Sequence, residues 1–146
     1  MTDFMEIAFA EARVAALRGE VPVGAVLVKD GQILAQAGNR VEADSDPTAH
    51  AEMLAIRQAA LSMGSPRLDG ADLYVTLEPC AMCAQAIALA RIRRVYFSAY
   101  DPKGGGVEHG AKVFDHSTCN HRPEVYGGLR ESEGAQILKE FFQAKR

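Results

Sequence analysis

The stretch from Leu73 to Phe97 constrains the fold more than any other part of the chain. Leu73-Tyr74-Val75 reads as a buried strand, Glu78-Pro79 breaks it, Cys80 to Ala90 is helix-forming, and Val95-Tyr96-Phe97 reads as a second strand. A helical connection of this length joins strands that lie parallel, with a right-handed crossover. The chain is therefore expected to form a layered α/β structure.

The flanking segments fit that plan. Phe4 to Arg18 sets Met5, Ala8, Ala12 and Ala16 at helical spacing with charged residues between them, and Gly19 is placed to stop the helix. Val23 to Val28 and Ile33 to Ala37 flank Asp30-Gly31, a dipeptide that tolerates the positive φ of a tight turn, so the pair reads as a hairpin. Asn39 to Thr48 has loop composition. Asp46-Pro47-Thr48 then punctuates the start of a helix predicted over about Ala49 to Met63, which puts His50 and Glu52 in its first turn. The helix from Cys80 is apolar nearly all round, a pattern that predicts burial on both sides: one against the sheet, the other against a partner subunit. Tyr100 to Gly106 is a glycine-rich loop, and Val113 to Tyr126 carries no decisive pattern. Ile137, Leu138, Phe141 and Phe142 make a stripe on a last helix that ends in Lys145-Arg146. No repeat or linker divides the 146 residues, so residues 1–146 are expected to form one domain.

Charge and apolar content exclude several functions. No apolar run approaches the roughly 18 residues that span a bilayer, and the acidic start Met1-Thr2-Asp3-Phe4 is unlike a signal peptide, so a soluble cytoplasmic protein is expected. A formal net charge of −3 argues against a protein that merely coats nucleic acid, though not against a local basic patch. Three cysteines do not make a disulfide framework.

Cys80-Ala81-Met82-Cys83 opens a helix, where i, i+3 spacing puts both sulfurs on one face and the positive helix end favours thiolate. Alone, this pair could equally be a redox couple or half of a structural zinc site. His50-Ala51-Glu52, at another helix start, adds an imidazole to the two thiolates. No second Cys-x-x-Cys follows, and Cys119 stands alone as a free thiol. His109, His116 and His121 fall in loop-like or ambiguous sequence and read as structural or surface histidines. Three ligands with a vacant fourth position describe catalytic rather than structural zinc. A water held there would have its pKa lowered from 15.7 to about 7. Glu52, two residues from His50, is placed to take and return protons, although a glutamate there could also simply favour the helix end. Such sites form beyond the carboxyl ends of strands, where the following helices begin.

His50-Ala51-Glu52 and Pro79-Cys80-Ala81-Met82-Cys83 match the H-x-E and P-C-x-x-C signature of the zinc nucleobase deaminases. Beyond the signature, four further segments resemble the bacterial tRNA-specific adenosine deaminases of the cytidine/deoxycytidylate deaminase superfamily. These are Glu20 to Val28, Asp46 to Glu52, Leu73 to Cys80, and Arg91-Ile92 with Arg94-Val95, and Phe141-Phe142 extends the likeness to the last helix. The resemblance implies a three-layer α/β/α cytidine-deaminase-like fold with a mixed five-stranded sheet. It also implies one zinc ion per subunit, a homodimer, and conversion of the wobble adenosine (position 34) of a tRNA anticodon loop to inosine. Carried over by position, Asn39 resembles an asparagine that hydrogen-bonds the target base, and otherwise reads as a loop-turn residue. Asp101 resembles a loop aspartate near the substrate sugar, and otherwise caps a turn. Pro102-Lys103-Gly104-Gly105-Gly106 departs from the expected loop after that aspartate. Candidates for a positive RNA-facing surface are Arg91, Arg93, Arg94, Lys103, Lys139, Lys145 and Arg146.

Two rival readings stay open on sequence. A guanine or other free-base or nucleoside deaminase would share the zinc chemistry behind a pocket closed to RNA. A non-catalytic RNA-binding module would use Cys80 and Cys83 only to staple its fold.

Overall fold

Strand side chains that turn alternately to the two faces of the sheet, and one-sided burial in the helices, determine how the elements stack. The structure, a computed structural model, describes residues 1–145. Helix α1 spans Phe4–Leu17, strands β1 and β2 span Gly24–Lys29 and Gln32–Gly38, and helix α2 spans Ala51–Met63. Strand β3 (Asp72–Leu77), helix α3 (Ala81–Leu89) and strand β4 (Arg94–Ala99) follow. Strand β5 (Glu124–Gly127) and helix α4 (Glu131–Ala144) close the chain.

The five strands form one mixed sheet in the order β2-β1-β3-β4-β5. β1 is antiparallel to β2 and to β3, whereas β3, β4 and β5 run parallel. The β1–β2 hairpin turns on Asp30 and Gly31, whose φ values of 51° and 74° suit the dipeptide foreseen there. Leu27, Leu73, Val75, Val95 and Phe97 face α2 and α3, and full burial of each such side chain stabilises the fold by about 1.5–3 kcal/mol. The alternate positions, Val26, Val28, Tyr74 and Tyr96, pack with Met5, Ala8 and Phe9 of α1 and Ile137 of α4. The layers are thus α1 and α4, then the sheet, then α2 and α3, which is the expected three-layer arrangement. No helix among the described residues is long and apolar enough to cross a membrane.

Local structure adds detail, and one helix boundary needs correction. Helix α2 begins at Ala51 rather than Ala49, because Thr48 is held in a turn by Asp46: both its backbone N–H (2.8 Å) and its hydroxyl (2.7 Å) donate to Asp46 Oδ1. His50 and Cys80 consequently sit at the cap positions of α2 and α3, one residue outside the helices. Helix α3 is buried on its inner side, through Cys83, Ala84, Ile87 and Ala88, and Ala81, Gln85 and Leu89 form an exposed face at i, i+4 spacing, on the side expected to meet a partner. Finally, the unassigned segment contains a 3-10 turn at Val113–Asp115 and the edge strand β5, only four residues long and half-exposed.

Candidate active site

The end of β3 and the cap positions of α2 and α3 bring the soft donors together. Nδ1 of His50 lies 3.6 Å from Sγ of Cys80 and 3.5 Å from Sγ of Cys83. All three donor atoms lie within 4.8 Å of one another, and among the described residues no further His, Cys, Asp or Glu joins them. A tetrahedral zinc ion with bonds of about 2.0–2.3 Å has ligand-to-ligand edges of about 3.5 Å, which both His50–sulfur distances match. Two sulfurs and one imidazole also match zinc's preference, and three ligands leave a coordination position for water.

The protonation pattern agrees. A hydrogen bond from the Cys83 thiol, with a further one from His50, draws the Cys80 thiol down to about 4, while that same bond and burial push the Cys83 thiol well up. The hydrogen bond with Cys80 raises the imidazole of His50 above its ordinary value. Binding a cation here would release the Cys83 thiol proton and require a neutral His50 with Nδ1 free of its proton.

Glu52 lies in the first turn of α2, 4% exposed, and its carboxyl lines the same cavity as His50 and Cys80. Burial pushes it up to about 7, near the value at which a carboxyl both takes and returns a proton at neutral pH. The cavity, about 240 Å³, is lined further by Val23, Asn39, Val41, Leu77 and Asp101. That is smaller than the roughly 300–1,000 Å³ of pockets for drug-sized ligands and suits one base. It continues into an outer groove of about 530 Å³ that shares Val21, Leu77 and Asp101 and is flanked by Tyr100, Lys103 and Phe142.

The other residues singled out in the sequence occupy varied positions. Asn39 is buried at the pocket wall; its Oδ1 accepts the Ala51 N–H (2.8 Å), and its Nδ2 donates to the Val21 carbonyl (3.1 Å). It therefore caps α2 in place of the absent side-chain cap of His50. Asp101 sits at the rim, its Oδ1 accepting the N–H groups of Gly104 (2.9 Å) and Lys103 (3.3 Å). Lys103 lines the outer groove, but Arg93 and Arg94 lie at the opposite end of β4, paired with Asp72 and Glu124. Arg91 precedes that end of β4, Lys139 is exposed on α4, Lys145 lies over the Phe141 ring, and Arg146 is outside the described residues. His121 and His116 donate to the carbonyls of Ile92 and Ala111, and Cys119 donates to the His121 carbonyl.

Sequence reasoning missed two buried carboxylates beside the pocket. Glu20 is 1% exposed and accepts the N–H groups of Glu42 (3.1 Å) and Ala43 (2.9 Å). Glu78 is 2% exposed and faces the Asp101 loop. The available signal was an acid at the end of an apolar strand, immediately before Pro79.

Comparison with known proteins agrees with this geometry. Residues 1–99 match the model of the cytidine and deoxycytidylate deaminase zinc-binding region. The chain is 59% identical over 145 residues to a tRNA-specific adenosine deaminase of Agrobacterium fabrum, covering 99% of this chain and 95% of that protein. It is 49% identical over 144 residues to a tRNA-specific adenosine deaminase of Aquifex aeolicus, covering 98% of this chain and 94% of that protein. A solved structure from a study of A-to-I editing by tRNA:A34 deaminases at the wobble position of transfer RNA superposes with a TM-score of 0.91. It is 60% identical and covers 92% of this chain and 98% of that one. Ligand geometry, fold and near full-length identity agree, and the chain belongs to the tRNA-specific adenosine deaminases of the zinc-binding cytidine and deoxycytidylate deaminase family.

Proposed function

We propose that the chain deaminates the wobble adenosine, position 34, of a tRNA anticodon loop to inosine by zinc-dependent hydrolysis. The observation that carries this reading is a base-sized cavity at the three-ligand site that opens into a wider groove. His50, Cys80 and Cys83 would hold the zinc, and when bound it would supply a water acidic enough to attack carbon at neutral pH. Glu52 would take a proton from the attacking water and give it to N1 of the adenine as the C6–O bond forms, then carry the remaining hydroxyl proton to the amine, so that the C6–N bond breaks and ammonia leaves. The target base enters extruded from its loop, as reaction at a ring atom requires. Asn39 contacts the base through the amide hydrogen not engaged by Val21, and Asp101 lies where the sugar passes.

The outer groove is what distinguishes this reading from a free-base deaminase, whose pocket has no need of one. Tyr100 and Phe142 offer surfaces for stacking, and Lys103 offers a positive charge to the backbone. A homodimer and a cytoplasmic location belong to the same reading: the exposed Ala81, Gln85 and Leu89 face of α3, with Leu89 67% exposed, is the surface a second copy would cover. Sedimentation of the zinc-loaded protein as a monomer would remove the dimer from the account.

Incubation of purified protein with a tRNA bearing adenosine at position 34, followed by digestion to nucleosides, is expected to yield inosine. Turnover of free guanine with no inosine in the digest would favour the free-base alternative.

A further inference from the structure

Glu78 is a buried acid in the wall of the same pocket and is not one of the three clustered donors. Its Oε1 accepts the Asp101 N–H (3.0 Å) and the His109 Nδ1–H (2.8 Å). Its Oε2 accepts the N–H groups of Val107 (3.2 Å), Glu108 (2.9 Å) and His109 (3.1 Å). Among the described residues His109 is its one ionisable partner. Two carboxylate oxygens provide about four acceptor sites, and here they gather both ends of the loop from Asp101 to His109.

The middle of that loop is pressed against the same spot. A Cβ on Gly105 would run into the Glu78 carboxyl, and one on Gly106 into the backbone of Cys80 and Ala81. The Gly106 N–H also donates to the Pro79 carbonyl (2.8 Å). The glycine run that departs from the expected loop is therefore what lets the chain close over both the carboxylate and the metal-ligand turn. Across the pocket, Glu20 holds the loop after Asn39 in the same manner.

We infer that Glu78 is a positioning residue for substrate: its carboxylate ties the Asp101–His109 loop to the turn carrying Cys80 and so fixes the wall over which the RNA passes. The inference rests on the reading of the site given above. A carboxylate is needed because an amide keeps one acceptor oxygen and turns an N–H₂ group toward N–H donors. The loop does not touch the reacting atoms, so loosening it costs binding in ground and transition states alike.

The test is Glu78→Gln in the zinc-loaded, full-length protein. The variant is expected to keep one zinc per chain, while KM for a tRNA anticodon stem-loop rises about tenfold and kcat stays within about threefold. Amide hydrogen exchange at Val107, Glu108 and His109 should accelerate about tenfold or more. Combined with Asp101→Ala, the two KM effects should be markedly less than additive. Wild-type KM, or full additivity with Asp101→Ala, overturns the inference. If Glu78→Gln does not fold, His109→Ala asks the same question, since it removes one of the five bonds from the half-exposed side. A KM rise of about threefold is then expected, and unchanged KM with unchanged exchange at Val107 overturns the inference. Absence of deamination by the wild type would count against the proposed function, while the exchange measurement would still decide whether Glu78 holds the loop.

Discussion

Glu52 carries a consequence that is measurable without substrate. Burial pushes its carboxyl up to about 7 in the metal-free fold, against about 4.5 in the unfolded chain. Between those values the unfolded chain ionises this group and the fold does not, so the carboxyl subtracts stability increasingly as pH rises from about 4.5 to about 7 and by a constant amount above. Glu52→Gln removes that effect. Urea unfolding of zinc-stripped proteins should show the variant gaining on wild type from about pH 5 to pH 7 and gaining no more by pH 8. A difference that stays flat across that range would show that the carboxyl is not held protonated by burial. Residues of this kind were legible in the sequence because their chemistry is local: His50, Glu52, Cys80 and Cys83 declare themselves by spacing at two helix starts. Glu20 and Glu78 were not, since nothing in a single acid's neighbourhood distinguishes a solvated carboxylate from one that collects N–H donors from a distant loop.

At the scale of elements, α4 is held at a distance that only glycine permits. A Cβ at Gly134 would collide with Oγ of Ser98 and press on the Thr76 carbonyl. Arg130, just before the helix, bridges to Asp3 (2.8 Å) and Glu6 (2.7 Å) and lies 4.8 Å over the Phe9 ring, which fastens α4 to α1. Gly134→Ala should lift α4 from β4, with a loss of about 1–3 kcal/mol of stability by thermal or urea unfolding. Since α4 bears Phe142 at the outer groove, the RNA substrate's KM should rise with it. Unchanged stability would mean that the helix is not seated against the sheet as described. The long elements were readable from period and punctuation, whereas β5 was not. It is short, follows Pro123 and lies at an edge, so neither alternation nor a buried run marks it; its register against β4, Tyr96 beside Tyr126, is set by tertiary pairing.

For the whole molecule, the parallel half of the sheet decides where chemistry occurs. β3 and β4 both end at the pocket, α3 begins there, and the antiparallel hairpin brings Asn39 and the start of α2 to the same edge. The layered class followed from the alternation of helices and strands along the chain, but the side on which each helix packs depends on which face of the sheet each strand residue turns to. Basic residues near each other in sequence were separated by the same topology, so that Lys103 reaches the groove and Arg93 and Arg94 lie at the far end. Truncation after Gln136 removes Leu138 and Phe142 from the groove wall. It is expected to abolish deamination of an anticodon stem-loop while one zinc per chain is retained; undiminished activity would show that the groove does not receive RNA.

The proposed chemistry requires Glu52 to move protons beside a zinc that His50, Cys80 and Cys83 would hold. Inosine formed at position 34 of tRNA should be measured for zinc-loaded wild type and Glu52→Ala at equal metal content. A fall in kcat of about 10²–10⁴-fold is expected, with one zinc per chain retained. Wild-type inosine formation by the variant would contradict it.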